Sequence, residues 1–488
     1  VTILVIDVGT SGVRAAAVGP DAAVLAEEHR RFPPQNPFPG GVEFDAAALG
    51  ALALDLAAGI TARVGPVRCV GIANQRCSTI VWDRATSRPV GPALGWQDLR
   101  TVGHCLTLGA QGRRVAPNAS ATKVAWLLDT HDPDRSRDLC FGTVDTWLIW
   151  LLTGGEEHVT DATNAAVTGL SRVVDGDVAW DSEMLSALNI PSSMLPRIVD
   201  STGVVGRATA LAGSPPIAGI AGDQQASLIG QGCVQPGRAK ITFGTGGMLD
   251  VCAGRTPPRL AGRFPGGTIP IAAWRDAEGV TWGQEAIMLT AGSCVDWLRD
   301  DLGIITDAAD SERWAAQCTD TGDVWFVPAL LGTATPSWDY GARGALVGMT
   351  RGTGRAELCR AVLEGVAHAA VDLVEAAELD TGLSIERLCV DGGMTVNSVF
   401  VQALADASGR RVEVSPVREA TSLGAAFLAG LAVGTWSDMS DIGAAWRPSA
   451  VAEPRPGALG RRDEVRARWA QARLASDGWI PALSALDF

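Results

Sequence analysis

Three observations predict an α/β protein of two domains. Strand-like and helix-like segments alternate through both halves of the chain. A strand, a glycine–threonine turn and a second strand open the sequence and recur at 239–252, which points to an internal duplication. At 488 residues the chain exceeds what one hydrophobic core holds. The boundary is expected at 231–239, where Gln231, Gly232, Pro236 and Gly237 break the pattern. This divides the chain into an N-terminal domain over 1–232, a C-terminal domain over 233–446 and a tail with a helix over 447–488.

The apolar run 3–7 reads as a buried strand, Gly9-Thr10-Ser11-Gly12 as a turn, and 13–18 as the returning strand. Apolar residues at helical spacing place a helix over 45–62, and 67–73 is a further buried strand. Segments 122–130 and 143–154 carry apolar helical faces, the second stopped by Gly154-Gly155. Residues 215–232 run from strand into helix, with Gly219 and Gly222 before the switch. A long helix is expected at 356–380, then strand, Gly-Gly turn and helix across 388–409. The small residues of 421–434 suit a closely packed helix, and 463–474 reads as a last amphipathic helix.

The composition is that of an ordinary globular protein, 47% hydrophobic and 19% charged. A net charge of -14 argues against nucleic acid or an anionic membrane as partner. Lysine occurs only at Lys123 and Lys240. No stretch approaches the roughly 18 consecutive apolar residues of a membrane span, and the first residues do not form a secretory signal. The ten cysteines are scattered without a C-x-x-C pair, so free thiols in a reducing cytosol are expected rather than zinc or disulfides. A homo-oligomer is left open.

Residues that carry chemistry gather at the predicted turns. Asp7 ends a strand and small residues follow it: Gly9, Thr10 and Ser11 let backbone N–H groups approach a phosphate, and the hydroxyls add donors. Asp7 suits Mg²⁺ held through water, and Arg14 could offset developing charge. Gly244, Thr245 and Gly246 repeat the cradle without the carboxylate. Gly392 and Gly393 make a third turn, leading through Asn397 to a helix start suited to an anion or nucleotide. None has the P-loop spacing or a G-x-G-x-x-G turn, and each alone also reads as a plain glycine turn. Asp223 stands at the switch from strand to helix, either as a helix cap or as a general base for an attacking hydroxyl. In "GIANQRCSTIVWD" (71–83) two β-type runs flank a polar cluster holding a fixed charge, Arg76, and a thiol, Cys77.

These pieces, in this order, resemble the FGGY carbohydrate kinases, and among them the glycerol kinases. The resemblance runs over nearly the whole chain, through "GIANQRCSTIVWD", "FGTVDTWLIW", "GIAGDQQASLIGQ", "FGTGG", "ARGALVGMTRG", "VDGGMTVN" and "LGAAFLAGLAVG". It implies two actin-like (ribonuclease H-like) domains around a central cleft. ATP with Mg²⁺ would bind mainly to the C-terminal domain and a small polyol or sugar mainly to the N-terminal one. By motif match, Asp7 falls to the metal, and Gly9, Thr10, Ser11 and Arg14 to the first phosphate segment. Gly244, Thr245 and Gly246 fall to the second, Gly392, Gly393 and Asn397 to the adenosine segment, and Asp223 to the catalytic base.

The acceptor pocket implied by the resemblance carries over in part. Arg76, Trp96, Asp223 and Gln224 match it. Cys77 stands where the pattern has a glutamate after Asn-Gln-Arg, Asn118 where it has a tyrosine before F-S-G-T-K, and Leu289 where it has a phenylalanine two residues before Ala-Gly. A neutral thiol is a poor hydrogen-bond acceptor, and all three changes shorten the side chain, so a roomier pocket is expected. The implied activity is ATP-dependent phosphorylation of a hydroxyl of a small polyol or sugar, as in glycerol kinases. A longer acceptor (tetritol, pentitol or ketose) is the alternative, and a ligand sensor without transfer activity is the rival from another class.

Overall fold

The computed structural model describes residues 1–260, 262–416 and 420–486. Two sheets repeat one strand order. In the N-terminal half, Ile3–Gly9 is central: Gly12–Val18 and then Val24–Arg31 follow on one side, each antiparallel to its neighbour. Cys69–Asn74 and Pro216–Gly222 lie on the other side as parallel neighbours, with Thr202–Arg207 at the edge. In the C-terminal half Ala239–Phe243 takes the central place. Gly247–Gly254 and Gly279–Met288 are its antiparallel side, and Arg387–Asp391 and Arg411–Val414 its parallel side. The same order and the same strand senses recur, so the duplication expected from the repeated turn exists in the topology.

Each sheet buries one face under a helix of its own half. Ala46–Val64 starts where the Asp45 carboxylate accepts the Ala48 N–H at 2.9 Å, and it buries Leu49, Ala53, Leu56 and Ile60 in the N-terminal core. This helix has a mean hydropathy of 1.5 and is long and apolar enough to cross a membrane by composition. A count of consecutive apolar residues overlooks it, because Asp55 interrupts the run. Its buried stripe on the sheet is that of a core helix. Arg355–Thr381 covers the C-terminal sheet, against Ala239, Ile241, Phe243, Leu249 and Val251.

The opposite face of the C-terminal sheet meets the domain interface, where Asp223–Gly230 packs against Ala420–Ala432. The two helices approach so closely that a Cβ on Gly424 would stand 1.8 Å from the Ala226 carbonyl oxygen, and one on Gly230 2.0 Å from that of Ala420. Ala420–Ala432 also lies on the N-terminal sheet, where a Cβ on Gly71 would meet the Ala425 carbonyl oxygen at 2.4 Å. The small-residue helix thus belongs by sequence to the second half and by packing to both.

Candidate active site

Strand ends from both halves converge beside these two helices. Asp7, 8% exposed, accepts a hydrogen bond from the Ser422 hydroxyl at 3.2 Å. Asp391 ends the strand Arg387–Asp391 and accepts one from Ser227 at 3.3 Å. Each half therefore presents a strand carboxylate held by a serine of an interface helix; the expected strand end at Asp7 is corrected, because the antiparallel pairing with Gly12–Val18 carries the strand on to Gly9. Asp391 received no role in the sequence reading; it stands directly before Gly392-Gly393 on the parallel neighbour of the central strand, whereas Asp7 stands on the central strand of its own sheet.

The glycine turns flank these carboxylates. The carbonyls of Gly244 and Thr245 accept the N–H groups of Gly292 at 2.9 Å and Ala291 at 2.8 Å, so oxygens that would repel a phosphate are engaged. A Cβ on Gly246 would lie 2.6 Å from the Met288 carbonyl oxygen. Gly392 has φ of +93°, and a Cβ there would lie 2.3 Å from the Phe243 carbonyl oxygen, so only glycine fits and the second and third turns touch. Gly393 borders open space. The expected direct entry from this turn into a helix needs correction: a 3₁₀ turn, Gly393–Val396, comes first. Asn397 then caps Ser398–Ser408, accepting the Phe400 N–H at 3.0 Å and donating to Ser311 at 3.2 Å. Its side chain is occupied in holding the turn. In the first turn Ser11 is exposed, and Arg14 pairs with Glu27 at 2.9 Å on the neighbouring strand. Thr10 accepts the Trp96 indole N–H at 3.0 Å, which ties this turn to the segment around Trp96.

In the polar cluster of 71–83, Arg76 Nε stands 3.6 Å from the Asp223 carboxylate, and Arg76 Nη2 donates to Glu285 at 2.6 Å. The helix cap is Gly222, so Asp223 is not spent on capping; it accepts the N–H of Gln224 at 2.8 Å and remains 28% exposed. Burial pushes the Asp223 carboxyl up, against the pull of Arg76. Gln224 Oε1 accepts from the Lys240 ammonium at 2.6 Å. An ammonium can pair only with the oxygen, which leaves the amide NH₂ of Gln224 as a donor.

Cys77 is 4% exposed and has φ of 65°, a left-handed conformation uncommon for a residue with a side chain. Its thiol donates to the Val167 carbonyl at 3.2 Å, and burial pushes it up to about 11, so it is neutral and already engaged. Lys123, fully buried, donates to the carbonyls of Trp96 at 2.9 Å and Asn118 at 3.0 Å; burial pushes its ammonium down to about 8. Trp96, Asn118 and the loop after Arg76 are thus tied into one N-terminal wall, with the Asn118 residue exposed. Leu289 lies beyond the end of Gly279–Met288, its carbonyl against the second glycine turn.

Beneath these residues runs a row of charges that the sequence reading missed. Lys240, Asp250 and Glu285 are register neighbours on three adjacent strands. Lys240 and Asp250 pair at 2.7 Å with both side chains 0% exposed. Burial, with the Asp250 carboxylate adding to it, pushes Glu285 up while Arg76 pulls it down. Met248 and Ile287 are the next register pair on the same face, both half-buried, and stand between this row and Leu289. Strand alternation carries the signal for all five, once the register is known.

The site joins a carboxylate, a guanidinium and an amide donor on one side to three glycine turns and the strand carboxylates Asp7 and Asp391 on the other. That set can hold a hydroxyl against a base and a polyphosphate along backbone N–H groups. Residues 2–230 match the model of the N-terminal domain of the FGGY family of carbohydrate kinases, and 239–433 that of its C-terminal domain. The glycerol kinase of Aromatoleum aromaticum is 41% identical over 98% of this chain and 99% of its own length. That of Trichlorobacter lovleyi is 40% identical over the same shares. Among solved structures, Plasmodium falciparum glycerol kinase with ADP superposes with a TM-score of 0.90 at 29% identity, covering 100% of this chain and 99% of that one. A xylulose kinase from Lactobacillus acidophilus, 21% identical over 97% of this chain and 98% of that one, shares the fold with a TM-score of 0.86. The chain belongs to the FGGY family of carbohydrate kinases.

Proposed function

We propose that Asp223 is the general base of this kinase, that Arg76 and Gln224 hold the acceptor, and that ATP lies along the three glycine turns. The reaction is ATP-dependent phosphorylation of a hydroxyl of a small polyol or sugar. The observation that carries the division of roles is the pairing of Arg76 with Asp223 at 3.6 Å, at the mouth of a helix that both domains grip. Asp223 accepts the proton of the attacking hydroxyl; Arg76 and the Gln224 amide orient that hydroxyl by donating to its neighbours. Trp96 forms the wall that links acceptor and first phosphate turn. Gly9, Thr10 and Ser11, with Gly244, Thr245 and Gly246, cradle the phosphates, and Gly392 and Gly393 border the nucleoside. The crowding at Gly246 and Gly392, which no side chain tolerates, fits such a cradle. Asp7 would hold Mg²⁺ through water, and the ion bound with ATP offsets charge on the phosphates.

Glycerol is the first acceptor to test, since the relatives from Aromatoleum aromaticum, Trichlorobacter lovleyi and Plasmodium falciparum named above are glycerol kinases. A longer acceptor is the second reading, favoured by one observation: the Cys77 thiol donates to Val167 and offers no acceptor to a substrate hydroxyl. We place the enzyme in the cytosol, a reading supported by its ten free thiols. The test is ADP release by the purified protein with glycerol, tetritols, pentitols and ketoses. Acceptor-dependent release supports the assignment; release with none of them refutes it in favour of a ligand sensor.

A further inference from the structure

We infer that Glu285, a residue of the C-terminal sheet, is the positioning residue of the acceptor site: it orients Arg76 across the domain interface. The inference rests on the acceptor-binding role proposed for Arg76. The guanidinium is planar, so engaging one edge aims the other. Arg76 Nη2 is bound by Glu285 at 2.6 Å and Nε faces Asp223 at 3.6 Å. Nη1 is buried and has no hydrogen-bond partner among the described residues. Nη2 is thus committed to Glu285 and Nη1 is enclosed, while Nε, at 3.6 Å from Asp223, makes no hydrogen bond to the described residues and is the donor left for a ligand beside that carboxylate.

The stem is held as well, because a Cβ on Gly222 would lie 2.7 Å from Arg76 Cγ, so the chain of Arg76 runs directly over the residue before Asp223. Glu285 is itself fixed. Its side chain is 7% exposed, and its register neighbour Asp250 pairs with Lys240, which in turn holds Gln224. The C-terminal sheet therefore sets both acceptor donors, Arg76 through Glu285 and Gln224 through Lys240. Acceptor affinity is coupled to the domain that carries ATP.

The test compares wild type, Glu285→Gln, Arg76→Gln and the double variant, with glycerol as reference probe and the best acceptor of the panel as second probe. Glu285→Gln should raise acceptor KM by about tenfold or more, with kcat within about threefold and the KM for ATP unchanged. The double variant should lose no more acceptor kcat/KM than Arg76→Gln alone, because Glu285 acts only through Arg76. Should Glu285→Gln fail to fold, with the Arg76 charge left unpaired, the neutral double variant still gives the comparison with Arg76→Gln. An unchanged acceptor KM in Glu285→Gln, or losses that add in the double variant, overturns the inference. A wild type without acceptor-dependent ADP release overturns the proposed function instead.

Discussion

Replacing Lys240 by methionine tests the buried charge row directly. The Lys240 ammonium lies 2.7 Å from Asp250, with both side chains 0% exposed, and it also bonds Gln224 at 2.6 Å and Thr242 at 3.0 Å. No hydrogen bond from the described residues reaches either Asp250 oxygen, so this ammonium is the charge that compensates the carboxylate. Methionine fills the volume of the lysine stem, so the cost of a cavity is small. What remains is an uncompensated buried carboxylate, worth about 3–5 kcal/mol of destabilisation. At about 2–4 °C per kcal/mol for a domain of ~200 residues, the melting transition should fall by roughly 6–20 °C. Calorimetry at neutral pH measures this. The double variant Lys240→Met/Asp250→Asn removes the charge as well and should recover most of the loss. Melting of Lys240→Met within about 2 °C of wild type would refute the reasoning, and so would a double variant that melts no higher than the single one.

Three further outcomes are expected. Cys77→Glu should raise kcat/KM for glycerol several-fold, since a hydrogen bond to a charged group is worth about 1.5–3 kcal/mol, less the lost bond to Val167; steady-state kinetics with no gain would show that the wild-type pocket does not lack an acceptor there. Gly392→Ala, forced to place a Cβ 2.3 Å from the Phe243 carbonyl oxygen at positive φ, should weaken nucleotide binding by about tenfold or more while sparing the acceptor site, as ADP and polyol titrations would resolve. His368 is 5% exposed between Trp325 and Trp469, and burial together with Arg466 pushes it down to about 3. Its folded value lies below the unfolded one of about 6.5, so its stability contribution is complete above that pH and is lost by about 1.4 kcal/mol per unit as pH falls. Melting curves at pH 5 and pH 7 should show a smaller acid loss in His368→Phe; equal losses would contradict this.

The turns and strands were legible because glycine, threonine and apolar runs are local signals. Asp7, Arg76, Asp223 and Gln224 stand out for the same reason: each is a polar residue at the end of an apolar run. The row Lys240, Asp250 and Glu285 was not legible. Each is a single charge inside an apolar strand, and the three come together only through a pairing register that a sequence does not print. The clue available was indirect: one of only two lysines in the chain interrupts a strand. Asn397 falls to the adenosine segment by motif match alone; that its side chain also caps a helix was legible only as a general preference of asparagine for that place. The direction of the Cys77 thiol depends on a positive φ at that residue, which nothing in the surrounding residues announces.

The most direct test of the account is phosphoryl transfer by Asp223→Asn. Asparagine keeps the size of the side chain and an oxygen to accept the Gln224 N–H, so the helix start survives. Acceptor-dependent ADP release should fall by about 10²–10⁴-fold while ADP binding, measured by titration, stays at the wild-type level. Turnover at the wild-type rate in this variant would contradict the assignment of Asp223 as the base.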